Sequence, residues 1–279
     1  MFSRVKPDIA DIQYGPYERN VLDLWLAKSK KPAPLLIWFH GGGFWYGDKS
    51  EGLPDLSLFL DRGISVAAPN YRLCPQFSFP APMVDGGRAI QFLRYHSATW
   101  NINPEKVAVA GNSAGGHIAF WLAFHRDLAN LASEDPIERQ STRIAAVGGE
   151  DAQPVFDPRE LKRLFGHLKE NFAVHFFGIA PQDLGTTNAN RIYEEASPIR
   201  HVTKHSPPAF LIYRQGMDKI TEEMDWQVLI HHPILGKCLK DRLDSMNIEC
   251  ELRYKADATG RSYEEHWAEM ARFFSEKLF

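Results

Sequence analysis

The chain has 279 residues, of which 44% are hydrophobic and 24% charged, with a formal net charge of -3. That length suits one large α/β domain covering 1–279, able to bury a core without disulfides. With no basic surplus a nucleic-acid partner is not expected, and no apolar run approaches the ~20 residues of a membrane span.

The N-terminal residues Met1 to Asp8 contain no apolar h-region, so neither a signal peptide nor a membrane partner is expected, and the expected compartment is the cytoplasm. Val21 to Leu26 alternates apolar and polar and predicts an early antiparallel strand. Pro34 to Phe39 is continuously apolar, as in a strand buried on both faces. It runs into His40-Gly41-Gly42-Gly43-Phe44-Trp45. Ile64 to Pro69 predicts the next strand, and Met83 to Thr99 has helical periodicity. Val107 to Ala110 is a strand that ends at Gly111-Asn112-Ser113-Ala114-Gly115, and a helix opens at Ala114.

Ile144 to Val147, Pro208 to Tyr213 and Cys250 to Tyr254 complete the predicted strands. Ser262 to Leu278 predicts a closing helix, with Ser262 and Glu265 as a capping box. Residues 151–207 lack strand character but carry short helical patterns, such as Pro158 to His167 and Asn188 to Ala196. An insertion there, at the C-terminal edge of the sheet, reads as a lid. Strands alternating with helices predict an α/β fold with a mostly parallel central sheet flanked by helices. The odd set Cys74, Cys238 and Cys250 fits neither a metal spacing nor a disulfide framework and reads as reduced thiols.

Two motifs carry chemistry. G-x-S-x-G between a strand and a helix seats a serine on a strained turn with its hydroxyl exposed, which makes Ser113 the candidate nucleophile. The glycine run lets backbone amides approach a developing oxyanion, so Gly42, Gly43 and Ala114 are the expected oxyanion hole. His40 reads as a residue that shapes this loop, and His117 as a packed helix residue. Phe44, Trp45 and Tyr46 are placed to wall a substrate pocket, with Phe172, Phe176 and Phe177 closing it from the insertion. Asp218, just past a strand, is the expected acid of a triad, with Asp151 as a lesser alternative. The base is divided: His266 preserves the order serine, acid, histidine, while His231 or His232 leaves the correct edge of the sheet in the segment after Asp218.

With His40-Gly41-Gly42-Gly43-Phe44, Asn70 to Pro75, Phe79-Pro80, Asp85 and Gly111 to Gly116 in this order, the chain resembles the α/β-hydrolase superfamily. Within it the match is to hormone-sensitive-lipase-like carboxylesterases and the neighbouring feruloyl-esterase and kynurenine-formamidase-like branch. Tyr14-Gly15, Arg19, Leu22 to Leu24, Ala196 to Ile199 and Gly216 to Asp218 extend the similarity. It covers most of the chain and weakens beyond Asp218. The resemblance implies a serine esterase acting on small to medium acyl esters through an acyl-enzyme, with no metal or organic cofactor. It also implies a histidine in the loop after the last strand, yet Lys255 to Arg261 contains none. Tyr71, Arg72 and Asp85 are expected to brace the site. A formamidase-like amidase and a hydrolase-like binding protein without catalysis are the competing readings, and a homodimer is compatible with all three.

Overall fold

The computed structural model describes residues 5–168 and 173–279. One eight-stranded sheet organises them, formed by β1 (Ile9–Gln13), β2 (Val21–Trp25), β3 (Ala33–Phe39), β4 (Ser65–Pro69), β5 (Ile102–Asn112), β6 (Ala146–Glu150), β7 (Ala209–Tyr213) and β8 (Cys250–Tyr254). The spatial order is β1-β2-β4-β3-β5-β6-β7-β8. β1 and β2 pair antiparallel, as does β2 with β4, and all remaining pairs are parallel.

Residue alternation along β3 explains why its sequence is apolar throughout. Leu35, Ile37 and Phe39 enter the core cluster on one face, and Leu36 and Trp38 enter the cluster on the other. The period of two sends neighbours to opposite faces, and both faces are covered. On the first face lie α2 (Ala81–Tyr95) and α3 (Ala114–Phe124). On the second lie α1 (Ser57–Leu60) and α9 (Tyr263–Leu278), through Phe59, Met270 and Phe274. α9 begins with the expected capping box between Ser262 and Glu265.

Element limits differ from the sequence expectations in instructive ways. β6 runs to Glu150 although Gly148-Gly149-Glu150 lacks strand composition, because β5 and β7 pair with it from both sides. α2 ends at Tyr95, four residues short of the expected helix. Residues 151–207 carry α4 (Pro158–Phe165), α5 (Ala173–Phe177) and α6 (Thr187–Ala196). Asp157 and Thr186 cap the first and third of these by accepting from backbone amides. Past β7 come α7 (Trp226–Ile230), which sequence reading did not anticipate, and α8 (Ile234–Asp244).

Candidate active site

β5 ends at Asn112, and Ser113 turns the chain directly into α3 with φ 48° and ψ −116°. A non-glycine residue at positive φ is strained and persists only where its surroundings fix it. Here the Ser113 amide donates to Glu150 O at 2.8 Å, and the His117 amide donates back to Ser113 O at 2.9 Å. Close packing does the rest: a Cβ on Gly115 would stand 2.1 Å from Phe39 O, so only glycine lets α3 start this near β3. The hydroxyl is thereby presented at the C-terminal edge of the sheet.

Facing it is His231, the residue that ends α7. Its Nε2 lies 2.9 Å from Ser113 Oγ, and its Nδ1 lies 2.8 Å from Gln227 O. A carbonyl can only accept, so the proton of the neutral ring sits on Nδ1 and the lone pair of Nε2 faces the serine hydroxyl. Burial pushes the His231 pKa below the usual imidazole value, and Arg214 adds to this, while Asp151 and the Gln227 carbonyl pull it up. Burial therefore favours the neutral ring, the form able to take a proton.

Asp151 is the carboxylate whose charge acts on His231, and it lines the same cavity. Positive φ of 49° turns it off the end of β6, where its Oδ1 accepts from the Arg214 amide at 2.9 Å and its Oδ2 from Arg214 Nε at 2.7 Å. Arg214 also reaches Glu150 Oε1 at 3.1 Å. Glu150 accepts from Asn112 Nδ2 at 2.8 Å and from the Tyr263 hydroxyl, and burial pushes its pKa up to about 7.

Gly42, Gly43 and Ala114 line this cavity of about 540 Å³ together with Ser113 and His231. Gly42 has φ +109°, and a Cβ there would stand 2.1 Å from Tyr46 O, so the turn closed by Trp45 N and Tyr46 N on Gly42 O requires glycine. The first amides of α3 lack intrahelical acceptors by construction. Phe44, Trp45 and Tyr46 all line the cavity. Phe44 is buried against Phe176 at 4.4 Å, whereas Trp45 is largely exposed. Phe176 lines the cavity, Phe177 packs behind it against Tyr193, and Phe172 lies outside the described residues. Phe156, Trp226 and Gln153 also line it, and sequence reading missed all three.

The other expected residues are placed elsewhere. His266, the first expectation for the base, sits in α9 against Asp257 at 3.6 Å and lines a separate cavity with Tyr263 and Arg261. The capping box starts α9 at Tyr263, so the ring is held within the helix, beside a cavity that Ser113 does not line. Asp218, the expected acid, is exposed, and the contact it makes with a histidine is through its backbone carbonyl, which accepts from His232 Nε2 at 3.0 Å. His232 spends Nδ1 on the Ile234 amide at 3.1 Å and so caps α8. His40 stacks on Tyr71 at 4.3 Å and contacts Gly41 O through Nδ1 at 2.7 Å, and Tyr71 donates to His40 O. Burial lowers the His40 and His117 pKa values to about 4. Arg72 grips Asp85 through its amide and guanidinium at 2.7–3.0 Å, beneath the loop.

A mostly parallel sheet covered on both faces, with a serine on a strand-to-helix elbow, is the α/β-hydrolase fold, although here the histidine facing that serine comes after β7 and not after the last strand. The family model described as BD-FAE matches residues 22–227, and the chain belongs to that family. It is 29% identical to the probable carboxylic ester hydrolase LipM of Mycobacterium tuberculosis over 73% of this chain and 46% of LipM. Esterase LipQ of the same organism is 29% identical over 75% of this chain and 49% of that protein. The chain thus spans about half the length of these curated relatives. Among solved structures, a truncated carbohydrate esterase from gut microbiota aligns with TM-score 0.75 at 18% identity, over 96% of this chain and 95% of that one. Esterase Est2 of Thermogutta terrifontis aligns with TM-score 0.69 at 18% identity, over 95% and 91%. At such identities the likeness concerns the fold.

Proposed function

We propose that this chain is a serine carboxylesterase acting on small to medium acyl esters through an acyl-enzyme on Ser113. The observation that carries the reading is the 2.9 Å contact between Ser113 Oγ and His231 Nε2, in a cavity also lined by Gly42, Gly43 and Ala114. Ser113 Oγ attacks the acyl carbon while its proton passes to His231 Nε2, and the carbonyl oxygen becomes an oxyanion within reach of the loop and helix amides. Collapse breaks the bond to the alkoxide, which leaves with the proton from Nε2. Water then attacks the acyl carbon, its proton passes to Nε2, and release of the acid returns that proton to Ser113 Oγ.

His231 is oriented by a main-chain carbonyl, and Asp151 supplies negative charge without a direct hydrogen bond to it. An imidazolium supported this way is less stabilised than one paired with a carboxylate, which weighs most against the less reactive amide bond. That favours an ester over the amide reading. Residues 151–207 act as a lid, a role supported by Phe156, ahead of α4, and Phe176, in α5, forming part of the cavity wall.

A fluorophosphonate probe tests the assignment. Labelling at Ser113, lost in Ser113→Ala together with hydrolysis of p-nitrophenyl acetate, is the expected result. An unlabelled protein whose hydrolysis rate equals that of Ser113→Ala would leave a binding protein instead.

A further inference from the structure

On the flank of the molecule away from Ser113, α3, α6 and the short turn after it bring three side chains with metal-binding donors together. His125 ends α3, Glu195 lies in the last turn of α6, and His201 closes the 3-10 turn Pro198–His201. One ligating atom from each lies within 4.8 Å of those of the other two. Both imidazoles are also held by contacts that leave a lone pair available. His201 Nε2 donates to Glu195 O at 2.7 Å, which puts the lone pair of its neutral ring on Nδ1. His125 is 7% exposed and lies flat on Trp121, with ring centroids 3.9 Å apart, and the Trp121 indole donates to Glu195 O at 2.9 Å.

The contacts of His125 supply the second observation. Its Nδ1 lies 3.0 Å from Arg126 O, and its Nε2 lies 3.0 Å from Glu195 Oε1. Both neighbours accept and neither donates, while a neutral imidazole carries one proton. With Nδ1–H on the carbonyl, the lone pair of Nε2 points at a carboxylate oxygen, an arrangement that a cation between them relieves. A carbonyl on the far nitrogen is also the usual way a ligating histidine is fixed in tautomer and orientation.

We propose that His125, Glu195 and His201 bind a divalent transition-metal ion of the zinc class. Two imidazoles and one carboxylate suit zinc, with water as the fourth ligand, and ligating atoms around such an ion stand about 3.4 Å apart at bonds of 2.0–2.1 Å. Calcium and magnesium call for all-oxygen shells and do not fit. The ion would tie α6 to the C-terminal end of the helix whose other end carries Ser113. Its role is structural, separate from the hydrolytic chemistry, and it would raise the unfolding temperature as any ligand selective for the folded state does.

The test is competition for zinc against a chromophoric chelator, using the full-length protein stripped with EDTA, alongside thermal unfolding with and without zinc. One equivalent bound at micromolar affinity or better is expected, together with a zinc-dependent rise in unfolding temperature. His201→Gln and Glu195→Gln, at partly exposed positions, are expected to weaken binding at least tenfold and to abolish that rise. His231→Gln is expected to change neither. Retained zinc affinity in His201→Gln, or loss of affinity only in His231→Gln, would place the ion elsewhere and overturn the proposal. So would the absence of zinc binding.

Discussion

His231 Nδ1 stands 2.8 Å from the carbonyl oxygen of Gln227, one helical turn earlier in the chain. On the proposed mechanism that contact performs locally what a distant carboxylate does in a standard triad: it fixes the tautomer and aims the other nitrogen at the Ser113 hydroxyl. Because α7 delivers both groups, the proposed base is preset by a single short helix and the residue that caps its C-terminal end. Asp151 then acts through space, in opposition to Arg214.

The two candidate acids are therefore separable by mutation. Asp151→Asn keeps an acceptor for Arg214 but removes the charge that favours the imidazolium. It is expected to lower kcat/KM by about tenfold, the equivalent of about 1.4 kcal/mol of lost transition-state stabilisation. The acidic limb of the pH–rate profile should also move to lower pH, since a carboxylate that raises the histidine pKa has gone. Asp218→Asn is expected to leave both unchanged. In the unmodified protein the acidic limb should lie below the ordinary imidazole value of about 6.5, because the proposed mechanism needs a neutral ring and burial favours that form. Steady-state kinetics from pH 4.5 to 8 would measure all of these.

Gly42→Ala tests the loop. The new Cβ would meet Tyr46 O at 2.1 Å and occupy a φ of +109°, so the turn must reshape and its amides must move. Loss of one oxyanion donor typically costs about 3 kcal/mol, so a fall in kcat of roughly a hundredfold or more is expected, with little change in the unfolding temperature. An equal loss of fold and activity would show instead that the loop serves stability.

Glu150 makes the fold sensitive to pH. Its folded-state pKa is raised from 4.5 to about 7 by burial, so between these values the folded protein holds a proton that the unfolded chain has lost. Stability from this group is therefore fully present below about pH 4.5 and lost as pH rises through 7, by about 3 kcal/mol in all. Chemical denaturation of wild type and Glu150→Gln at pH 5, 6, 7 and 8 checks it. The stability difference between them should shift in favour of the variant as pH rises, and a pH-independent difference would contradict the account.

Much of the sheet was legible from the sequence because its strands carry strong local signals. Pro34 to Phe39 and Pro208 to Tyr213 are apolar runs, and each became a strand. β6 was harder, since glycines at its end pair only because neighbouring strands demand it. Ser113 stood out because a strained elbow needs glycines at fixed offsets, and the glycine run of the preceding loop is equally local. The proposed base was not legible in that way. His231 meets Ser113 across 118 positions of sequence, through a five-residue helix with no periodicity to read. His266 kept the expected chain order, but its own capping box committed it to α9. The charges around the site were hidden for the same reason: Arg214 looks like any exposed residue past a strand until Asp151 and Glu150 are seen to converge on it.

The central claim is that His231 takes the proton from Ser113. Its most direct test compares kcat/KM for p-nitrophenyl acetate in His231→Gln and His266→Gln. The account predicts a loss of at least a thousandfold for His231→Gln, as expected when a general base is removed, and a change of less than threefold for His266→Gln. A collapse in His266→Gln with His231→Gln near wild type would contradict it.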